Sequence, residues 1–467
     1  MGIARQFSSH ASKSISSLVG DRYIKTFVIF CILIVFLIAD TMISYVTDFI
    51  QTQLVTSIGM ICFIAIAIVY ISAVYFILRF VKDESKDIRG RHLFIRVSHN
   101  AVTIIQYALV ATLVFTILEM LLTSHYHTAI ITAITAISQV STVGILILFA
   151  QRLFSWFNLN RNSLVVLLYG LSFVIYSFAF AVALMSQLSI LSEKQVSADY
   201  AIITPQSKVV FASDSFKPGA LITNLFATYQ YATLVSFTLL MAATAILLYH
   251  YSRKIGRVKF WLIILLPLLY RLSMSLQVFG IITPGTHTEY FYWYLFVSLN
   301  STAGGILFGI AFLSIAKTIR QDSVVRQYMI IAAYGFILMF ISNQVTLTAT
   351  SYPPFGFATL SLLVLASYMI FIGIYSTALS VSQDMKLRKY IRKLTTKDTS
   401  LLNTIGTAQM EQDIQRTVKR FENIVEEQEK EMKEQSGIEG SMSQEDMHKY
   451  VQEVLEEVIK VKKPSAT

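Results

Sequence analysis

Ten separate stretches of this chain are each long enough and apolar enough to cross a bilayer, and that feature excludes most folds. They run over about 26–48, 55–80, 101–123, 128–150, 163–190, 221–250, 260–282, 290–316, 327–348 and 357–382. A membrane helix needs roughly 20 consecutive, mostly apolar residues to span about 30 Å of hydrocarbon. An open sheet in lipid would leave backbone N–H and C=O groups without partners, so segments of this length are read as helices. Several exceed the minimum and would tilt or project beyond the bilayer. The expected fold is an all-α polytopic membrane protein of about ten transmembrane helices. Composition agrees, since 55% of the 467 residues are hydrophobic and 14% are charged, against about 25% charged in soluble proteins.

Charge placement orients these segments. Arg5, Lys13, Arg22 and Lys25 precede the first run, and Lys82, Lys86, Arg89, Arg91 and Arg96 separate the second from the third. Arg152, Arg161, Arg253, Lys254, Arg257, Lys259, Lys317, Arg320 and Arg326 fill the same side, followed by Lys386 to Lys397. The short loops near 49–54, 124–127, 283–289 and 349–356 contain no Lys or Arg. Cytoplasmic loops carry the excess of Lys and Arg. Both termini are therefore expected in the cytoplasm of a multi-pass plasma-membrane protein. The layout is a basic segment at 1–25, helices one to five over 26–190, an extracytoplasmic loop at 191–220, helices six to ten over 221–382, and a cytoplasmic helical tail at 383–467. The net charge of +10 is spread over loops and flanks, so the expected partner is the bilayer and not nucleic acid. In the long loop, Tyr200–Thr204 and Lys208–Ala212 flank Pro205–Ser207 and read as a small β-hairpin.

Polar groups within the apolar runs are the candidate site. Arg271 in "LLPLLYRLSMSL" lies near mid-bilayer, where an unpaired Arg costs about 2.5 to 3.5 kcal/mol on insertion scales. Asp40 in the first helix and Glu119 in the third lie toward the outer half, and Arg271 is expected to pair with one of them in a buried polar centre. That centre is read either as a fixed ion pair or as a place for a solute, proton or gating step. The eighth run carries "SLNSTAGGILFG", where Asn300, Ser301, Thr302, Gly304, Gly305 and Gly309 form a small, polar stretch. Small residues let membrane helices approach closely and hydroxyls or amides bond across the gap, so a packing seam is expected. Asn343 and Gln344 add amides near the outer end of the ninth run.

His125 and His127 share one outer loop, and His287 with Glu289 another. Imidazole and carboxylate at alternating spacing suit Zn²⁺ or Cu²⁺. The structural reading is that these are exposed histidines that bind nothing. No organic cofactor is expected.

From Gln383 the composition turns polar. Leu401, Ile405, Ala408, Ile414, Val418, Phe421 and Val425 recur at three- and four-residue steps, an apolar stripe on a charged helix. A second amphipathic helix opens at Ser443, with Asp446 close to a capping box and Met447, Tyr450, Val451, Val454, Leu455 and Val458 on one face. The tail over 401–461 is expected to meet a cytoplasmic protein or a second copy of the chain. It has no phosphate-binding glycine loop and no metal-ligand cluster, and an enzyme is not expected.

The segment "YPPFGFATLSLLVLASYMIFIGIYSTALSVSQDMKLRKYIRK", with "YGFILMFISNQ" before it and "IGTAQMEQDI" after it, resembles a family of uncharacterised polytopic membrane proteins of ammonia-oxidising archaea of the Nitrososphaeria group. The resemblance is most specific over about 327–414. It implies an archaeal plasma-membrane protein with a cytoplasmic helical tail, and it implies no activity. Three functions suit these features. A sensor or signal relay would pass a change in the bundle to the tail. A secondary transporter would use five-plus-five inverted halves. A non-catalytic scaffold or assembly subunit would use the tail alone.

Overall fold

The computed structural model describes residues 21–47, 53–123, 127–161, 163–193, 220–249, 252, 256–278, 287–319, 323–343, 354–384, 387–389, 391 and 397–436. Ten long helices precede the tail. They are α1 Asp21–Thr47, α2 Gln53–Glu84, α3 Leu93–Thr123, α4 Thr128–Leu159 and α5 Leu164–Glu193. Then come α6 Ala220–Leu248, α7 Arg257–Val278, α8 His287–Thr318, α9 Val324–Ser342 and α10 Phe357–Gln383. A short helix, Lys86–Arg91, joins α2 to α3. The tail helix α11 spans Lys397–Ser436.

Among the described residues, eight of these, α1 to α6 with α9 and α10, are long and apolar enough to cross a membrane. The protein is thus an all-helical, multi-pass membrane protein. In α8 the apolar part whose side chains are described is Thr302–Thr318, and α7 carries Arg257, Lys259 and Arg271 around Pro267. No strand occurs among the described residues. The expected hairpin strands at 200–212 and the second tail helix from Ser443 lie outside those residues.

The surface is apolar, as a lipid-facing surface must be. Ile61, Val35, Leu122, Leu262 and Leu266 are among the exposed side chains. Contiguous exposed apolar area on this scale marks a membrane contact. By contrast α10 is buried all along Phe357–Leu379. It packs against α1, α2, α3, α4 and α9, which makes it the axis of the bundle.

Three devices hold the bundle together. Phe237 of α6, Phe308 and Phe312 of α8, and Phe336 and Phe340 of α9 meet in an aromatic core, with Phe312 and Phe336 stacked at 4.9 Å. Between α5 and α6, Ser172 Oγ donates to the Ser236 carbonyl and Ser236 Oγ to the Ser172 carbonyl, both at 2.9 Å. Lipid offers no hydrophobic drive between helices, so such close packing and reciprocal bonding supply it. The third device is close backbone approach at glycines. A Cβ on Gly305 would sit 2.7 Å from Phe340 Cβ, and one on Gly309 would sit 2.6 Å from Ile337 Cγ1. The expected small-residue seam is therefore the contact of α8 with α9, with Gly304 facing the Phe237 ring of α6. Thr302 is buried beside it; the side chains of Asn300 and Ser301 lie outside the described residues.

The chain divides into two compact units, Met1–Gly406 and Thr407–Thr467. In the first, Leu401, Leu402 and Ile405 of α11 are buried. A Cβ on Gly406 would lie 2.7 Å from Val381 Cβ, so this turn of α11 touches the C-terminal end of α10. In the second unit, Gln409 Nε2 donates to Asp413 Oδ1 at 2.9 Å along the helix. Arg416, Lys419 and Arg420 are exposed there while Ile414 and Val418 are half-buried, as the three- and four-residue stripe requires.

Candidate functional site

Arg271 is buried, and its Nη2 donates to Thr233 Oγ1 on α6 at 2.9 Å. Pro267 lies about one turn before it; a proline inside a helix frees the carbonyl four residues back and permits a kink. Thr233 passes its own hydroxyl hydrogen to the Gln230 carbonyl at 3.0 Å, which leaves its oxygen free to accept from the cation. One turn earlier on α6, Tyr229 donates to Asn343 Oδ1 at 3.0 Å. Asn343 ends α9 and donates its Nδ2 to the Tyr176 hydroxyl of α5 at 2.7 Å. Arg271 also interacts electrostatically with the Tyr176 hydroxyl. One cation, two phenols, a hydroxyl and an amide from four helices thus form a buried polar centre. Its chemistry is that of hydrogen bonding and positive potential. Changing Arg271 to Gln is expected to cost about 1–3 kcal/mol through the lost charge-assisted bond, read as a lower melting temperature in detergent. Thr233→Val should reproduce part of that loss.

The expected partners of Arg271 are engaged elsewhere. Asp40 Oδ1 accepts the Gly356 N–H at 2.9 Å, and its Oδ2 accepts the Thr359 N–H at 3.2 Å and the Thr359 hydroxyl at 2.7 Å. The reason is electrostatic and local. The first turn of α10 presents unpaired N–H groups and the positive end of the helix dipole, and Gly356 at the N-cap has no side chain to meet them. Gly356 has φ +93°, a left-handed conformation natural only to glycine. Asp40 therefore caps α10 from α1. Glu119 instead bonds both the backbone N–H and Nδ1 of His127, bracing the α3–α4 turn. The ion pair expected between Arg271 and a carboxylate is not formed with either acid.

The same contact turns the His127 imidazole onto Glu119. His125 lies outside the described residues, as do the side chains of His287 and Glu289 in the first turn of α8. No cluster of three or more metal-ligating side chains occurs among the described residues.

A second polar seam follows α10 itself. Gln106 Nε2 of α3 donates to Tyr70 Oη of α2 at 2.7 Å and to the Ser361 carbonyl at 3.3 Å. Ser138 Oγ of α4 donates to the Leu360 carbonyl at 2.8 Å. Farther along α10, Tyr368 Oη meets His99 Nδ1 of α3 at 3.0 Å, and at its end Gln383 Nε2 meets His92 Nε2 at 3.1 Å. Sequence reasoning did not single out His99, Gln106 or Ser138. The signal available was an imidazole and an amide spaced two turns apart on one face of α3.

An apolar exterior around an axial helix, with polar groups turned inward, defines a multi-pass integral membrane protein with a buried hydrogen-bonding core. No family model, curated protein or solved structure matches the chain.

Proposed function

We propose that this protein is a sensor or signal relay of a plasma membrane, crossing it ten times with both termini in the cytoplasm. In this reading a change in bundle packing moves along α10 to α11 and so to a cytoplasmic partner. One observation carries the reading. The axial helix is contacted by five others and capped at its first turn by Asp40, and its last turn is touched by the start of the tail helix. A displacement in the bundle would reach α10 through those contacts, and α10 ends against Gly406. The reading uses no catalytic group. The polar centre around Arg271 is the natural point of entry for a stimulus, because buried hydrogen-bonded networks have alternative pairings where packed hydrocarbon has none. The similarity to the Nitrososphaeria family supports an archaeal membrane as its setting.

Purification of the tagged full chain from native membranes tests the reading. A specific soluble partner, or a second copy, should co-purify with the wild type. Gly406→Leu forces a side chain against Val381 and is expected to weaken that capture by about tenfold, equivalent to about 1.4 kcal/mol, with the bundle still folded. Equal capture by both forms would remove the relay. Solute flux that persists in proteoliposomes after deletion of residues 407–467 would favour a transporter instead.

A further inference from the structure

We propose that the apolar stripe of α11 is a docking face for the chain's own segment 443–461, which folds back antiparallel to it and closes the tail into a hairpin. Ile414 and Val418 are half-buried, whereas Arg416, Lys419, Arg420 and Asn423 on the other sides of the helix are exposed. A helix standing alone in water is wetted all round, so this asymmetry marks a covered side. α11 supplies the described residues of the compact unit Thr407–Thr467, and the rest of that unit is residues 437–467.

Register selects the occupant. From Ile414 to Met432 the row on α11 advances in alternating steps of four and three residues, interrupted in its apolar character only by Gln428. That is the a/d spacing of a coiled-coil seam. A second row, from Met447 to Val461, takes the same steps. Laid antiparallel, the rows match in five successive layers, from Val418 with Val461 to Met432 with Met447. The positions flanking the seam then put Glu429 beside His448 and Gln415 beside Lys462, and no two like charges face each other. A second copy of α11 fits less well. Antiparallel, it sets Glu422 against Glu422; parallel, it meets Glu422 and Glu429 with Thr417 and Ile424, neither of them a cation. Six residues, 437–442, with glycines at 437 and 440, connect Ser436 to Ser443, and about two to eight usually join neighbouring helices. So short a link holds the segment at about millimolar effective concentration. If the tail is also the output of the relay proposed above, a partner reaching this face must first displace 443–461, and the hairpin is the closed state of that output.

Two measurements on the purified full chain, with no partner present, decide the matter apart from any capture experiment. In the first, Val425→Cys combined with Val454→Cys is treated with a short bismaleimide. Linked peptides are mapped by mass spectrometry, which separates them from products of the native Cys31 and Cys62. Isotopically light and heavy chains are mixed beforehand, and the 425–454 link should join peptides of one isotope only. It should exceed by about tenfold the link in Val425→Cys with Val461→Cys, whose thiol lies one heptad, about 10 Å, farther along the helix. Links between light and heavy chains alone would make a second copy the occupant, and no link would leave the stripe uncovered by this segment; either result overturns the proposal. In the second, Val454→Asp with Val458→Asp is compared with the wild type by amide hydrogen exchange. Exchange over 414–428 should rise by about tenfold or more, with α10 unchanged, because the cover is lost while the bundle stays folded. Unchanged exchange over 414–428 overturns the proposal. If the doubly charged variant does not fold, the cross-link decides alone.

Discussion

Asp40→Ala is expected to destabilise the bundle by about 2–6 kcal/mol, from a cost of about 1–3 kcal/mol for each of two buried N–H groups left without an acceptor. Three donors converge on this carboxylate, two of them backbone N–H groups in the first turn of α10. Alanine would leave the Gly356 and Thr359 N–H groups unpaired at full burial. Neither can turn to water, and Gly356 cannot be given a capping side chain without straining its left-handed backbone. Asp40→Asn keeps one acceptor oxygen but points an NH₂ at remaining donors, so an intermediate loss is expected. Thr359→Val removes a single bond and should cost about 1 kcal/mol. Unfolding in detergent would read this ranking of alanine, asparagine and Thr359→Val. An Asp40→Ala protein that melts with the wild type would mean that α10 is not capped from α1.

The position of that cap explains why the effect should spread. Asp40 sits on a helix with many exposed apolar side chains, whereas its partners belong to a helix buried all along Phe357–Leu379. Loosening the first turn of α10 would also loosen the Ser361 and Leu360 carbonyls held by Gln106 and Ser138. A single acid on the periphery thereby sets the seating of the axis. For a relay this coupling is the useful property.

Ten apolar runs in the sequence correspond to ten long helices, because hydrophobic length is a local property that one chain displays openly. The helix ends were less legible. α3 begins at Leu93, well before the run that starts near 101, since its entry turn includes Arg96 and the buried His99. A helix continues wherever its backbone bonds continue, regardless of hydropathy. The glycine seam of α8 was readable from Gly305 and Gly309 for the same local reason: four-residue spacing puts both on one face. Partners were not readable. Arg271 is expected to find a carboxylate because charge is visible in a sequence, but it donates to Thr233 Oγ1, whose place across the bundle no sequence displays. The acids had stronger local claims, Asp40 on an uncapped helix start and Glu119 on the neighbouring turn. Asn343 stood out as an amide in apolar surroundings, yet nothing in its own segment points to Tyr176 and Tyr229 on two distant helices.

The tightest helix contact in the axis predicts the second large effect. A Cβ on Gly373 of α10 would stand 2.6 Å from the Tyr328 carbonyl oxygen and 2.7 Å from the Ala332 nitrogen of α9. A Cβ on Gly335 of α9 would stand 2.7 Å from the Ile370 nitrogen and 3.0 Å from the Ala366 carbonyl oxygen of α10. Both clashes are with backbone, which cannot yield by changing rotamer. The two helices would have to separate along a close-packed interface. Overpacking of this kind costs about 1–3 kcal/mol per site, so Gly373→Ala and Gly335→Ala are each expected in that range. Because both act by moving the same pair of helices apart, their combination should cost less than the sum. Gly144→Ala is the matched control. Nothing lies within 4 Å of its added Cβ, and replacing a helical glycine by alanine should gain up to about 1 kcal/mol. Gly304→Ala runs into the Phe237 ring, but an aromatic side chain can turn aside, so its loss should be the smaller. The ordering in melting temperature is therefore Gly144→Ala highest, then Gly304→Ala, then the two axial variants. Should Gly373→Ala melt as high as Gly144→Ala, α9 and α10 would not be in backbone contact, and the rigid axis through which a signal would travel would be lost with it.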